Sequence, residues 1–440
     1  MGGDSDNESK EDLNKILSSS NTSLKDMEET EDYSPVLGNK IDHKISFIMV
    51  MLSIALLFPY SSYLAVLDYF DILYPKYKTT YTIPFVYMVM LIIAFLITLL
   101  YPQKVKHHYN ILGGFLVYII ALIIIPLINL TKINGSFGSY IITVVLIGVS
   151  AFVDGLIQSS VFAIVGLFGP KYCISAQIGI GLSGVIGVII RVIIKLSFSN
   201  SGPDNKIGII IFFSVGCFII LVASVLFIYL LKSPIGQIVM KKQNITSGNE
   251  LDTPPTSNSS SKTPQPATNE ATPFQNILYV WKKSSHYICC LVLLMFLSLF
   301  LFPGFMMQVN VQNVAKDWYM ILVVTIYNVS DLIGKLFPLF LKKTNYSVYL
   351  IWGITLGRFI FVFLFFMSIY KDSFRVDALI YVFIAIFGFT NGIVASICMA
   401  EGPKQVQRQY KELAGSMMSF SLDIGLLFGS ALGLIVSLVQ

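Results

Sequence analysis

IGIIIFFSVGCFIILVASVLFIYLL, residues Ile207–Leu231, holds no charged side chain and is closed at both ends by lysine, Lys206 and Lys232. A helix needs roughly 20 apolar residues to cross a bilayer core of about 30 Å, and this stretch reaches that length. Five apolar stretches precede it: Ile45–Leu67, Tyr81–Tyr101, Ile111–Leu130, Tyr140–Phe168 and Ile174–Ile194. Five follow after a long polar interval: Tyr287–Met307, Trp318–Leu341, Val348–Tyr370, Ala378–Met399 and Ala414–Leu438. The sequence thus predicts an all-α polytopic membrane protein with 11 transmembrane helices divided 6+5.

Composition agrees. The chain is 55% hydrophobic and 12% charged, about half the charged fraction of an ordinary soluble domain. Its 33 Phe and 23 Tyr suit lipid-facing surface and interfacial belts. The net charge of +5 is spread over short loops, so it does not mark a nucleic-acid surface. Cys173, Cys217, Cys289, Cys290 and Cys398 fall in or beside the apolar stretches, as small packing residues do; their placement suggests neither a disulfide framework nor a metal cluster.

Lysine and arginine set the orientation. Lys76, Lys78, Lys132, Lys195, Lys206, Lys316, Lys371 and Arg375 lie on one side; twice as many, from Lys40 and Lys44 through Lys282 and Lys283 to Lys411, lie on the other. The richer side is expected to be cytosolic, with the N-terminus inside and, after an odd number of spans, the C-terminus outside. Four regions follow: a disordered cytosolic tail (1–44), a first helical bundle (45–231), a flexible cytosolic linker rich in Ser, Thr and Pro (232–284), and a second bundle (285–440). Met1-Gly2 is not a myristoylation signal, because Asp6 stands where that motif needs Ser or Thr. Of the Asn-X-Ser/Thr sequons, Asn129 and Asn134 face outward, in a very short loop. Without an organelle signal, the plasma membrane is the expected address.

Six ionisable residues fall inside the apolar stretches: Asp154, Arg191, Asp331, Lys335, Arg358 and Asp423. A mid-bilayer charge costs at least about 2.5–3.5 kcal/mol, so each should face a partner or an aqueous cavity. Asn328, Asp331 and Lys335 share one helix face at i, i+3, i+7, and Asp154 and Gln158 share another at i, i+4. Gly179, Ser183, Gly187 and Arg191 form a stripe of small residues ending in a cation, while Ser419, Asp423 and Leu426 align in the last stretch. Two readings of Asp331 and Lys335 stand side by side, an ion pair that locks the bundle and a polar lining of a solute path. Asp154 is expected to carry a proton or to pair with Arg191 or Arg358.

The chain carries no Gly-x-x-x-x-Gly-Lys-Ser/Thr phosphate loop, no His-x-x-x-His pair, and no Ser-His-Asp or Cys-His set gathered in one segment. Neither enzyme chemistry, nor ATP-driven pumping, nor a cofactor is expected.

Several motifs are more specific. Phe387-Gly-Phe-Thr-Asn-Gly392, Cys398-Met-Ala-Glu-Gly-Pro-Lys404, Glu412-Leu-Ala-Gly-Ser-Met-Met-Ser-Phe420 and Gly425-Leu-Leu-Phe-Gly429 occur in that order. Upstream stand Asp154-Gly-Leu-Ile-Gln158, Phe302-Pro-Gly-Phe305, Asn328-Val-Ser-Asp331-Leu-Ile-Gly-Lys335 and Gly357-Arg358. Together they closely resemble the equilibrative nucleoside transporters, over nearly all of Ile45 to Leu438. That resemblance implies a major-facilitator-like pair of bundles around a central cavity, moving nucleosides, with nucleobases as a further candidate, by alternating access. The drive would be facilitated diffusion or a proton gradient, with the nucleoside, the bilayer and protons as partners.

By the same resemblance, Gln158, Asp331 and Lys335 contact the nucleoside. An amide pairs with a base edge, and a carboxylate accepts from ribose hydroxyls. Leu57, Tyr60 and Leu64 would line one wall and Leu426 another, with Asn328 orienting the eighth-span cluster. Two departures stand out. Lys335 replaces an arginine, whose forked contact a lysine cannot reproduce, and Tyr60 stands where tryptophan is common. The competing readings are a proton-coupled carrier of another small organic solute on the same fold, and a membrane receptor that does not transport.

Overall fold

The computed structural model describes residues 39–67, 70, 73–77, 79–101, 106–130, 135–197, 206–233, 235–237, 272–302, 306, 316–341, 346–370 and 377–439. The expected tail up to residue 38, the expected linker over 238–271, Pro303 to Phe305 of the seventh-span motif and the sequon at Asn134 lie outside the described residues. Among the described residues there are 11 helical spans long and apolar enough to cross a membrane.

The first six are α1 (Asn39–Ala65), α2 (Thr79–Leu100), α3 (His107–Leu130), α4 (Phe137–Phe168), α5 (Pro170–Ser197) and α6 (Lys206–Lys232). The remainder are α7 (Pro273–Phe300), α8 (Lys316–Leu341), α9 (Val348–Gly357) and α10 (Ile360–Tyr370), α11 (Asp377–Glu401) and α12 (Lys411–Val439). Two short 3₁₀ turns, Gly402–Gln405 and Arg408–Tyr410, join α11 to α12.

Three features differ from the sequence reading. Helix α7 begins at Pro273, so residues 273–284, assigned to the linker by composition, form its first turns. A local start signal explains this: Pro273 opens the helix, and the Gln275 side chain accepts from the Thr272 N–H at 3.0 Å. The ninth span is broken into α9 and α10 at Arg358 and Phe359, where i→i+3 bonds from Phe359 to Leu356 and from Phe361 to Arg358 tighten the backbone. Arg358 draws that turn inward, as described below. Finally, α4 and α5 are separated by Gly169 alone, whose φ of 121° lies in the region open to glycine.

Packing follows the same plan in each half. In the first, α1 lies against α5 and α6, and α2 against α4; in the second, α7 lies against α12, and α8 against α11. Glycines bring these backbones together: Gly179 meets the Val50 carbonyl of α1, Gly155 the Leu91 carbonyl of α2, and Gly425 the Val292 carbonyl of α7. Gly334 of α8 and Gly392 of α11 similarly face carbonyls of each other's helix. Helices in lipid lack a hydrophobic drive to associate, so close van der Waals contact through small residues supplies the cohesion. The outward faces carry Leu96, Leu116, Ile120, Phe218, Val225 and Phe363 exposed, as a lipid-facing surface requires.

The two halves meet where α4 and α2 pack on α12, and α5 packs on α8 and α11. The end at which α1, α5 and α12 begin is called the near end here, and the opposite one the far end. The main apolar core runs through the first half and continues at the near end into the second, through Leu291, Leu294, Cys398 and Met418. A separate cluster, including Leu301, Tyr319, Val323, Phe365 and Ile384, fills the far end of the second half. Apolar packing between the halves is therefore continuous at the near end and divided at the far end.

A Cβ at Gly425 would lie 2.5 Å from the Val292 carbonyl and 2.8 Å from the Met295 Cβ. Gly425→Val should therefore force α12 from α7 and cost about 1–3 kcal/mol, measured as a lower Tm of the purified protein in detergent.

Candidate functional site

Helices α4 and α12 run antiparallel and close on each other from the near end. His107 Nε2 at the start of α3 pairs with Glu412 Oε1 at 2.6 Å. One turn deeper, Gly415 packs on the Phe162 carbonyl, and Gly166 packs on the Lys411 carbonyl. Next, the Ser416 hydroxyl donates to the Ser159 carbonyl at 3.0 Å, and Thr98 of α2 donates to the Ser159 hydroxyl at 2.9 Å. The deepest described rung belongs to Gln158. Its Nε2 donates to Ser419 Oγ at 2.9 Å and to Asp423 Oδ2 at 2.8 Å. Gln158 thus sits at the floor of the seam, joined to the opposite half.

In the first half, Asp154 lies one turn from Gln158 and is 2% exposed. Tyr87 of α2 donates to its Oδ2 at 2.7 Å and Tyr118 of α3 to its Oδ1 at 2.5 Å. The expected pairing of Asp154 with Arg191 or Arg358 does not occur. Two phenol hydroxyls satisfy both carboxylate oxygens, and Arg358 is committed elsewhere. Tyr60 of α1 stacks on this group, its ring centre 4.6 Å from that of Tyr87. Leu57, Tyr60 and Leu64 share one face of α1, and each is half-buried.

In the second half, Lys335 Nζ and Asp331 Oδ2 are 2.6 Å apart, both side chains almost fully buried. Asn391 Nδ2 of α11 donates to Asp331 Oδ1 at 2.8 Å. The Asn391 carbonyl oxygen accepts from Ser298 Oγ of α7 at 2.7 Å, and Ser298 accepts from Arg358 Nη2 at 2.7 Å. The Ser298 hydroxyl also lies 2.8 Å from the Leu294 carbonyl, so its one proton is shared between two acceptors. Arg358 also donates to the Phe387 carbonyl at 2.8 Å and to Thr390 Oγ1 at 3.0 Å, and lies 4.0 Å from the Phe387 ring centre. These bonds pin the α9–α10 break to α7 and α11.

The other predicted residues are placed as follows. Asn328 is half-buried, donates to the Val324 carbonyl at 2.9 Å, and packs against Gly184 of α5. Lys335 lays its methylene stem on Gly181 of the same helix. Leu426 is half-buried on the main core, one turn beyond Asp423. Arg191 is half-exposed on α5, two turns from the Gly184 contact. At the far end of this helix pair, Lys195 Nζ lies 5.1 Å from the Trp318 ring centre and joins α5 to α8.

Of the six ionisable residues expected inside the spans, Asp331 and Lys335 pair with each other, Asp154, Asp423 and Arg358 are held by neutral groups, and Arg191 is half-exposed. Sequence reasoning missed Tyr87, Tyr118, Ser298 and the His107–Glu412 pair, whose partners come from distant helices. Asn391 carried a signal, since it lies in the Phe387–Gly392 motif.

Two helical bundles meeting across a charge-bearing seam, closed at one end, define a membrane transport protein. Solved structures of similar fold are the E. coli fucose:proton symporter (TM-score 0.57, 11% identity, 90% of this chain and 92% of that one) and a D-xylose–proton symporter (TM-score 0.59, 11% identity, 88% of each). They place the chain in the major-facilitator fold. The family model described as "Nucleoside transporter" matches residues 141–438. Among curated relatives, Equilibrative nucleotide transporter 1 of Arabidopsis thaliana is 26% identical over 397 residues, covering 89% of this chain and 85% of the relative. Human Equilibrative nucleoside transporter 4 is 22% identical over 444 residues, covering 88% and 82%. The chain belongs to the nucleoside transporter family, and its activity is transmembrane nucleoside transport.

The His107–Glu412 pair ties the near ends of the halves together. Glu412→Gln, which keeps the shape and removes the charge, should raise near-end exposure. The check is faster alkylation of a cysteine introduced at Ser416 in membranes from cells expressing the chain.

Proposed function

We propose that the nucleoside binds between α1, α4, α8 and α12 and crosses as the two halves rock about it. The observation that carries this reading is the position of Gln158, a base-pairing amide on one half held by Ser419 and Asp423 of the other. Gln158 meets the base, and Asp331, oriented by Asn391, accepts from ribose hydroxyls with Lys335 as its counter-charge. Leu57, Tyr60 and Leu64 form one wall and Leu426 the other; Asn328 steadies α8 against α5. Opening the near end requires breaking the rungs from His107–Glu412 to Gln158–Asp423, and closing the far end brings α1 and α7 together. The basic residues on the near side support a cytosolic near end and N-terminus.

A second reading, proton-coupled transport, is favoured by Asp423. It is a carboxylate 3% exposed whose hydrogen-bond partner is a neutral amide rather than a cation. Protonation would remove the cost of keeping its charge buried in the closed seam.

Uptake of radiolabelled adenosine and uridine into nucleoside-transport-deficient cells, at mildly acidic and neutral pH and with a protonophore, tests both readings and surface localisation. Saturable uptake is expected; its absence, with the chain present at the surface, overturns the nucleoside site. Acid stimulation abolished by the protonophore establishes coupling, and insensitivity to both establishes a passive carrier. Asp331→Asn leaves Lys335 buried without its counter-charge, a change of about 3–5 kcal/mol, and should abolish uptake at normal surface level. Lys335→Arg keeps the charge and should retain it.

A further inference from the structure

The amide of Gln158 has a defined polarity. The group turned toward Asp423 Oδ2 is the Nε2 amine, the orientation that an ionised carboxylate, which can only accept hydrogen bonds, requires. Its other described bond goes to Ser419 Oγ, also from Nε2. Both amide protons are thereby spent on α12. The opposite end of the amide, Oε1, accepts nothing among the described residues. While Asp423 is ionised, Gln158 therefore offers the seam an acceptor and no donor.

Protonation reverses this. A neutral Asp423 carries one O–H, which donates to Oε1 once the amide turns half a revolution about its last side-chain bond. Ser419 can follow, because a hydroxyl both donates and accepts. The turned amide then presents Nε2, a donor, to the space that Oε1 faced. No backbone movement is needed, and the proton on Asp423 is the sole change in composition.

We propose that Asp423 sets the polarity of Gln158, so that the protonation state of this one carboxylate determines which hydrogen-bonding face of a nucleobase the site accepts. The proposal rests on Gln158 being the base contact. It makes Asp423 a specificity-determining positioning residue that acts through Gln158 without touching the nucleoside.

The surroundings of Asp423 isolate this effect. From α4 it faces Gln158 and, within electrostatic range, Asp154; from α1 it lies within electrostatic range of Tyr60. On its own helix Ser419 lies one turn away and shares the Gln158 amide with it. From α7, Val292 and Met295 pack on Gly425, and from α2 the Phe95 ring lies on Phe420; none of these carries charge. Asp154 is the other titratable carboxylate nearby, and its two oxygens are held by Tyr87 and Tyr118 rather than by Gln158.

The test pairs nucleosides with analogues lacking the Watson–Crick-edge donor: uridine against 3-methyluridine, and adenosine against purine riboside. The full-length chain, purified and reconstituted in liposomes, is assayed for competition by each member of a pair at pH 5.5 and pH 8. With Oε1 presented, the parent nucleoside is preferred; with Nε2 presented, the analogue loses nothing. The parent-to-analogue preference is therefore expected to fall at least about fivefold on acidification, the value of one hydrogen bond. In Asp423→Asn the neighbouring amide offers both donor and acceptor at every pH, so the preference should be small and flat.

A wild-type preference that does not change with pH overturns the proposal, whatever the variant does. So does a pH-dependent preference that persists in Asp423→Asn, which would assign the titration to Asp154. If no nucleoside competes at all while the protein stays folded, the binding-site reading itself fails, and that outcome is distinct from a flat preference among nucleosides that do compete.

Discussion

A charge inside hydrocarbon must find hydrogen bonds or a counter-charge, and the helix arrangement follows from how this chain meets that demand. Asp154 takes its two bonds from α2 and α3, fastening both to α4. Arg358 takes its bonds from α7 and α11 and, in doing so, breaks the ninth span in two. Asp331 collects Lys335 from its own helix and Asn391 from α11. Each solution uses side chains from different helices, so the polar interior acts as cross-linking that lipid-phase packing alone supplies weakly. The glycine contacts serve the complementary purpose of bringing backbones close enough for those side chains to reach.

The same interactions divide the molecule unequally along the membrane normal. Within each half, bonds such as Tyr118–Asp154 and Asn391–Asp331 join helices of the same bundle. Between the halves, the α4–α12 contacts are concentrated at the near end, as a run of single polar or glycine rungs from His107–Glu412 to Gln158–Asp423, while α5 and α8 stay in contact from Gly181–Lys335 to Lys195–Trp318. Each rung is modest, and losing them all exposes hydroxyls, an amide and carboxylates that water satisfies readily. A seam built this way can open without leaving buried polar groups stranded, which suits alternation between two states. The far end of the second half has its own apolar cluster, so separation there does not cost the main core its continuity.

Much of this was legible in the sequence, because span length and apolar composition answer to bilayer thickness. The stretch Ile207–Leu231 reappears almost unchanged as α6. Helix ends were harder to read where local capping outweighed hydropathy, as at Thr272-Pro273 ahead of α7. Spacing alone grouped Asp331 with Lys335 and Ser419 with Asp423, since i, i+4 geometry lies within one helix. Partners on separate helices were invisible to it. Nothing in the neighbourhood of Asp154 announces Tyr87 or Tyr118, and charge balance suggested an arginine instead. Phenol hydroxyls satisfy a carboxylate without any signature of charge. His107 and Glu412, at the starts of their helices and 305 positions apart, are joined only by the meeting of the two halves.

The central claim, that one site between the halves is exposed alternately to the two sides, is tested most directly by counterflow. Liposomes containing the purified chain are loaded with unlabelled uridine and placed in a trace of labelled uridine. A carrier of this kind should draw label inward above its equilibrium level before the gradient dissipates, and faster than unloaded liposomes do. Label that only equilibrates, at a rate independent of internal uridine, would contradict alternating access and indicate an open pore.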